Sequence, residues 1–252
     1  MITFDDIKQG LQQGEFYLEY LPTVSLVSER CTGAEALIRW KRGIENIQPD
    51  QFIPIAENTP LSGLITYWVL EKVAEEMGSW LRANPTMHMS INVPPEIIGR
   101  GGLIYAAEKA NLNDILPQFI LEITERGFPD KIAIDSINQN HYKDLGVRVA
   151  LDDVDLAGSA NLALLARTFI DIIKLDRSLT AQITPTCQNP DWLQGIAALL
   201  QTGVVSVIVE GIETQLQFNV LKQANIQEAQ GFYFSKPIPA DAFLKYFQRH
   251  NS

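Results

Sequence analysis

The sequence predicts a closed α/β barrel of eight strands wrapped by helices. Three observations lead there. β-prone runs and helix-patterned runs alternate along most of the chain, which means a parallel sheet covered by helices. The strand-like runs number eight, the number at which such a sheet closes. The chain has 252 residues, and one barrel of this kind takes about 250.

The elements follow in order. Phe4, Ile7 and Leu11 share one helical face over residues 3–13, and Gly14 is the stop. FYLEYLPTVSL, 16–26, alternates and is rich in β-formers, so it is a strand. VSER, 27–30, turns the chain into a second strand, 31–40. A link that short joins antiparallel neighbours. Two short helices are expected near 49–55 and from Leu61 on through YWVLEKVAEEMGSWLR. The remaining strands are expected at 88–93, 119–125, 148–154, 171–176, 205–212 and 228–234. Helices are expected between them at 95–110, 129–144, 159–168, 190–202 and 214–224, with a last one at 239–249. There is no low-complexity tract and no evident linker, so residues 1–252 read as a single domain.

Bulk composition narrows the function classes. Apolar residues make up 46% and charged ones 20%, which is ordinary for a globular domain. The formal charge of −10 argues against a large DNA or RNA duplex footprint, which needs a basic face. No apolar run is long enough to span a bilayer; Gly195 to Ile212 is interrupted by Gln201, Thr202, Gly203 and Glu210. The N-terminus is too polar for a signal peptide. Cys31 and Cys187 have no metal-ligand spacing and read as reduced thiols, and the expected location is cytoplasmic.

The strands carry a recurring polar feature. Glu35 lies in AEALIRW, Asn92 in INV, Glu122 in LEITE, Asp152 and Asp153 in LDDV, Lys174 in DIIKLD, Glu210 in VIVEGIE and Gln230 in EAQGFYF. Each sits within or at the C-terminal end of its run, where barrels of this kind gather functional groups. Five carboxylates at one mouth cannot all stay ionised without cations. Oxygen donors suit Mg²⁺ or Mn²⁺, and adjacent carboxylates such as Asp152 and Asp153 can serve a pair of ions. A single strand-end carboxylate is often merely solvated or paired with lysine; the coincidence over several strands favours one shared site.

EALIRW, SINV, LEITE, ALDDV, DIIKLD, VEGIET and QGFYFSKPIPADAF occur in the order of the EAL family of cyclic di-GMP phosphodiesterases, and the chain resembles that family over residues 3–249. The resemblance implies a modified (β/α)8 TIM-like barrel whose first strand is antiparallel, matching the hairpin read at 16–40. It implies that Glu35, Asn92, Glu122, Asp152 and Glu210 hold one metal ion and Asp153 a second. It places Lys174 beside the attacking water, Gln230 where a glutamine positions that water, and Glu125 where a glutamate steadies the loop after the paired aspartates. It gives Arg39 contact with the nucleotide and puts Pro237 in a guanine pocket. The implied reaction is hydrolysis of one phosphodiester bond of cyclic di-GMP to linear pGpG with two Mg²⁺ or Mn²⁺ ions, in a homodimer.

Two departures stand out. Val154 and Asp155 replace the family's Phe–Gly after the aspartates, in DDVDLAGSANLALL, so residues 154–159 form an altered loop. Leu21 replaces a glutamine that touches ligand in the family, a loss of roughly 1 kcal/mol in affinity. These departures support an alternative, a receptor that binds cyclic di-GMP without hydrolysing it and signals to a protein partner. A scaffold without nucleotide affinity is a third reading. Among the other candidates, His88, His141 and His250 read as structural or solvent-facing, and Trp68 and Trp80 as packing. Glu75 and Glu76 read as a solvated face. Asp176 reads as a cap, an ion-pair member or part of the site, and Glu213 as a helix-start carboxylate or a neighbour of the site.

Overall fold

In the computed structural model, residues 1–123, 131–138, 141–155 and 168–251 are described. The chain forms a closed eight-stranded barrel with helices outside it. The strands are β1 (Phe16–Ser25), β2 (Cys31–Arg42), β3 (Glu45–Ile47), β4 (His88–Asn92), β5 (Phe119–Ile123), β6 (Arg148–Val154), β7 (Ile172–Leu175), β8 (Ser206–Val209) and β9 (Glu228–Ala229). The sheet order is β1-β9-β8-β7-β6-β5-β4-β2-β3, and β1 also pairs with β2 to close the ring. β1 is antiparallel to both neighbours, from Phe16↔Trp40 to Val24↔Cys31 on one side and at Val24↔Ala229 and Ser25↔Glu228 on the other. From β2 through β4 to β9 the ring is parallel.

The described helices are α1 (Phe4–Gln13), α2 (Pro49–Ala56), α3 (Pro60–Ala83), α4 (Gly102–Lys109), α5 (Lys131–Asn138), α6 (His141–Asp144), α7 (Arg177–Thr180), α8 (Asp191–Gln201), α9 (Gln215–Gln223) and α10 (Ala240–Asn251). α1 starts in a capping box: Asp6 N–H donates to Thr3 Oγ1 at 3.2 Å, and Thr3 N–H donates to Asp6 Oδ2 at 2.9 Å. Among the described residues no helix is long and apolar enough to cross a membrane. Both cysteines are free thiols, Cys31 buried and Cys187 exposed.

Several boundaries differ from the sequence reading. The expected 95–110 helix is a 3₁₀ turn, Pro95–Ile97, and then α4; Gly99 and Gly101, both at φ 77°, break the path between them. The 129–144 helix corresponds to α5 and α6, and the 159–168 helix lies outside the described residues apart from Thr168. β3 was not foreseen: β2 runs on to Arg42 and folds back after Gly43, at φ 61°. β8 stops at Val209, and β9 keeps only two residues of the expected seven. The aromatic tail of that run packs on α9 instead, with the Tyr233 ring stacked 5.5 Å from Phe218.

Alternate residues of β5 to β8 face the barrel interior. One interior layer is apolar: Ile120, Ala150, Ile172 and Ile208 form a buried cluster separate from the outer core. Two residues further along each path stand Glu122, Asp152, Lys174 and Glu210. The outward residues, such as Leu121, Leu151, Ile173 and Val209, join the larger core beneath the helices.

His88, at the start of β4, is buried, and its Nε2 has no hydrogen-bond partner among the described residues. Burial pushes its pKa down to about 4 from 6.5; Glu228 opposes this, while Arg148 and Lys174 add to it. The folded imidazole is therefore neutral where the unfolded one is charged. Its stabilising effect is complete above pH 6.5 and is lost as pH falls toward 4, by about 3 kcal/mol. Urea unfolding at a series of pH values should show this slope in the parent chain and a flatter one in His88→Gln. Equal slopes would refute the assignment.

Candidate active site

The polar residues read from the strands meet at one end of the barrel. Lys174, on β7, is fully buried. Its Nζ lies 2.7 Å from Glu210 Oε1, 2.8 Å from Glu122 Oε2, 3.1 Å from Glu35 Oε2 and 3.2 Å from Asp152 Oδ1. Asn92, at the end of β4, donates from Nδ2 to Glu35 Oε1 at 3.0 Å. Gln230, just past β9, is buried and donates from Nε2 to Thr23 Oγ1 at 3.0 Å.

The backbone at β6 explains how two consecutive aspartates serve one site. Neighbours in a regular strand face opposite sides. Here the β6–β7 register slips between Leu151 and Val154, and Asp153 takes φ +56°. Aspartate tolerates that left-handed conformation better than most residues. The slip brings ligand oxygens of Asp152, Asp153 and Glu210 within 4.8 Å of one another.

The electrostatics show a shortage of positive charge. Lys174 has three N–H donors for four carboxylates. Burial alone would lower its pKa, but Asp152, Glu122, Glu210 and Glu35 outweigh that and hold it well above its ordinary value. It is a fixed ammonium, unsuited to act as a base. Burial and then Glu35 push Glu122 well above the usual carboxylate range. Burial raises Asp152, and it raises Glu210 to about 8 against the pull of Lys174. Glu35 goes the other way: burial is outweighed by Lys174 and Asn92, and its pKa is lowered.

Carboxyls whose pKa values are pushed up by burial and by one another are carboxyls short of a cation. Among the described residues Glu122 Oε1 and Gln230 Oε1 are buried oxygens with no hydrogen-bond partner. All-oxygen donors, orphaned lone pairs and the Asp152, Asp153 and Glu210 grouping fit a hard divalent cation.

A cleft of about 300 Å³ opens beside the cluster. Glu122, Asp152, Asp153 and Asn92 line it, and Ile53, Pro54, Pro94 and Pro95 add apolar surface. Arg39 lines it too, with Nε donating to Glu19 Oε2 at 2.8 Å. Pro237 is not among the lining residues; it precedes Ile238, which pairs with Tyr20 of β1. Leu21 is half-buried and sits opposite Glu35 in the β1–β2 register. Val154 is buried in β6 and pairs with Leu175. Glu125 and residues 156–159 of the altered loop lie outside the described residues. Asp176 caps α7, accepting from Ser178 N–H at 2.9 Å.

Sequence reasoning missed the residues that hold these groups in place. Thr23 tethers Gln230, and Thr180 and Gln217 brace the loop that bears Glu210. Each is a common polar residue whose partner is remote in sequence, so periodicity gives no signal for it.

A family model described as the EAL domain matches residues 5–237. The chain is 32% identical over 248 residues to the probable cyclic di-GMP phosphodiesterase PdeB of Escherichia coli K12, covering 97% of this chain and 47% of that protein. It thus spans about half the length of that curated relative. The solved structure of the EAL enzyme Bd1971 in its cAMP-bound form superimposes with a TM-score of 0.85 at 30% identity, over 96% of this chain and 69% of that one. The PaMucR phosphodiesterase in complex with c-di-GMP gives 0.82 at 27% identity, over 95% and 98%.

Proposed function

This chain belongs to the EAL domain family, and from that premise we propose that it hydrolyses cyclic di-GMP to linear pGpG in a metal-dependent reaction. The observation that carries the proposal is the convergence of four carboxylates, from β2, β5, β6 and the end of β8, on Lys174, all within 3.2 Å, beside a cleft with an arginine in its wall. The c-di-GMP complex of a structural neighbour supports the choice of ligand.

In this reading Glu35, Asn92, Glu122, Asp152 and Glu210 hold one divalent ion and Asp153 helps to hold a second. We take the ions as Mg²⁺ or Mn²⁺. When bound, they neutralise the scissile phosphate and make a water molecule easier to deprotonate. The protein supplies the rest. With the four acids engaged on the ions, the N–H donors of the Lys174 ammonium would be freed for charge developing on the phosphoryl oxygens. Arg39 turns from Glu19 to the nucleotide. Gln230 offers its carbonyl to the attacking water, and the apolar walls keep other water out. Water adds to phosphorus, one P–O bond to a ribose 3′ oxygen breaks, and that oxygen takes a proton. The roles given to Glu125 and Pro237 rest on the family resemblance alone. We also take the chain as a single cytoplasmic domain that forms a homodimer, which sedimentation velocity tests.

The decisive experiment incubates the purified chain with cyclic di-GMP and Mg²⁺ or Mn²⁺ and follows products by chromatography, with EDTA as control. Metal-dependent appearance of pGpG is expected. Tight binding without product would establish the receptor reading instead, with Leu21 and the altered loop as its basis.

A further inference from the structure

We propose that Thr180 is a positioning residue for Glu210: its buried hydroxyl fixes the loop that carries this carboxylate into the site. The inference rests on the reading of Glu210 as a metal ligand. Glu210 follows the last residue of β8, so no strand pairing beyond its own N–H holds it; that N–H donates to Leu175 O at 3.0 Å. Gly211 comes next at φ 72°, in the left-handed region, which turns the chain sharply away from the barrel. A side chain cannot be added there, because a Cβ would lie 2.4 Å from Arg177 Cβ, on α7. The loop therefore rests directly on α7.

Thr180, at the end of that helix, is fully buried and donates from Oγ1 to the Glu210 carbonyl at 2.6 Å. A second brace reaches the same threonine. Gln217 of α9 donates from Nε2 to Thr180 O at 3.2 Å, while its Oε1 accepts from Glu213 N–H at 2.9 Å and Thr214 N–H at 3.0 Å. One glutamine thus clamps the far end of the loop to the helix that fixes its near end. On the other side Ile212 N–H donates to Gln230 O at 3.1 Å. The peptide plane of Glu210 is set from α7, and the direction of its side chain follows from that plane. Partners hydrogen-bonded to a ligating side chain typically change metal affinity by about 10–100-fold when removed, and a support one step back, on the ligand's own peptide, is expected at the low end of that range.

The test compares Thr180→Val, close in shape but without the hydroxyl, with Thr180→Ser, which keeps it. Mn²⁺ binding is measured by calorimetry in the absence of nucleotide, and turnover of cyclic di-GMP separately. Expected for Thr180→Val are about tenfold weaker Mn²⁺ binding and a fall in kcat with KM little changed, both restored in Thr180→Ser. If Thr180→Val does not fold, Thr180→Ala removes the hydroxyl without added bulk and carries the same expectation. Parent-like Mn²⁺ affinity in the folded variant, or a serine variant as impaired as the valine one, overturns the positioning role and leaves the function intact. A parent chain that binds no Mn²⁺ and yields no pGpG overturns the functional reading, and the present inference with it.

Discussion

Lys174→Met is expected to destabilise the metal-free protein by about 3–5 kcal/mol, because it leaves a buried cluster of carboxylates without a cation. The four acids around Lys174 have side-chain exposures of 0 to 22%, so water cannot take over the role of the ammonium. Methionine fills the space of the lysine stem, which separates the loss of charge from the creation of a cavity. Two features sharpen the expectation. Carboxyls whose pKa values are raised can take up protons in place of the lost cation, so the deficit should be larger at pH 8 than at pH 6. Saturating Mn²⁺ should recover part of it, since the ion supplies positive charge at the same place.

The converse substitution separates charge from chemistry. Glu122→Gln removes one negative charge from an over-supplied cluster, at an acid whose pKa burial and Glu35 push well up, and keeps a hydrogen-bonding side chain. Stability in EDTA should be unchanged or higher, while turnover is lost. Lys174→Met should also lower kcat by about 10²–10³-fold, through loss of a donor aimed at transition-state charge. Urea denaturation with and without Mn²⁺, with product chromatography on the same samples, reads all of these. A Lys174→Met protein as stable as its parent in EDTA would contradict the electrostatic account.

Gly231→Ala is expected to cost more than about 4 kcal/mol, enough to prevent isolation of folded protein. Gly231 has φ 155°, and a Cβ there would lie 2.2 Å from Ile212 O, 2.3 Å from Ile212 N and 2.7 Å from Ile212 C. These are backbone atoms, which cannot swing aside as a flexible side chain can. The same backbone is engaged on both sides, with Ile212 N–H donating to Gln230 O at 3.1 Å and Tyr233 N–H donating to Ile212 O at 2.9 Å. Alanine would force the two loops apart and displace Glu210 with them. Gly14→Ala is the control. Its φ of 70° is also unfavourable, but nothing lies within 4 Å of the added Cβ, so a loss of only about 1 kcal/mol is expected. Thermal unfolding followed by circular dichroism compares the two; a Gly231→Ala protein melting as high as Gly14→Ala would refute the packing argument.

The barrel was legible because its signal repeats. Strands β4 to β8 are short apolar runs separated by helical patterns, and the brief VSER link announced the reversed β1. The polar members of the site were legible for the same reason, since each breaks an apolar run at a similar place. The misreadings have physical causes. EAQGFYF has the composition of a strand, but Gly231 and the stacking of Tyr233 on Phe218 take its aromatic half out of the sheet. β propensity reports a preference for half-buried surface, and a helix face can supply that surface too. The 95–110 segment has helical spacing, yet two glycines at positive φ interrupt it. The supports Thr23, Thr180 and Gln217 were invisible, because a buried hydroxyl or amide is defined by partners 30 to 207 positions away.

The apolar layer of Ile120, Ala150, Ile172 and Ile208 lies directly below the acids. Its effect reaches beyond packing. A low-polarisability floor cannot screen the acids from beneath, so their potential is projected through the mouth. The negative charge that the acids keep beside Lys174 is then felt on the mouth side, the side from which ligands arrive. Under the proposed function this favours binding of the divalent ion before the phosphodiester, an order that four aliphatic side chains help to set while touching neither.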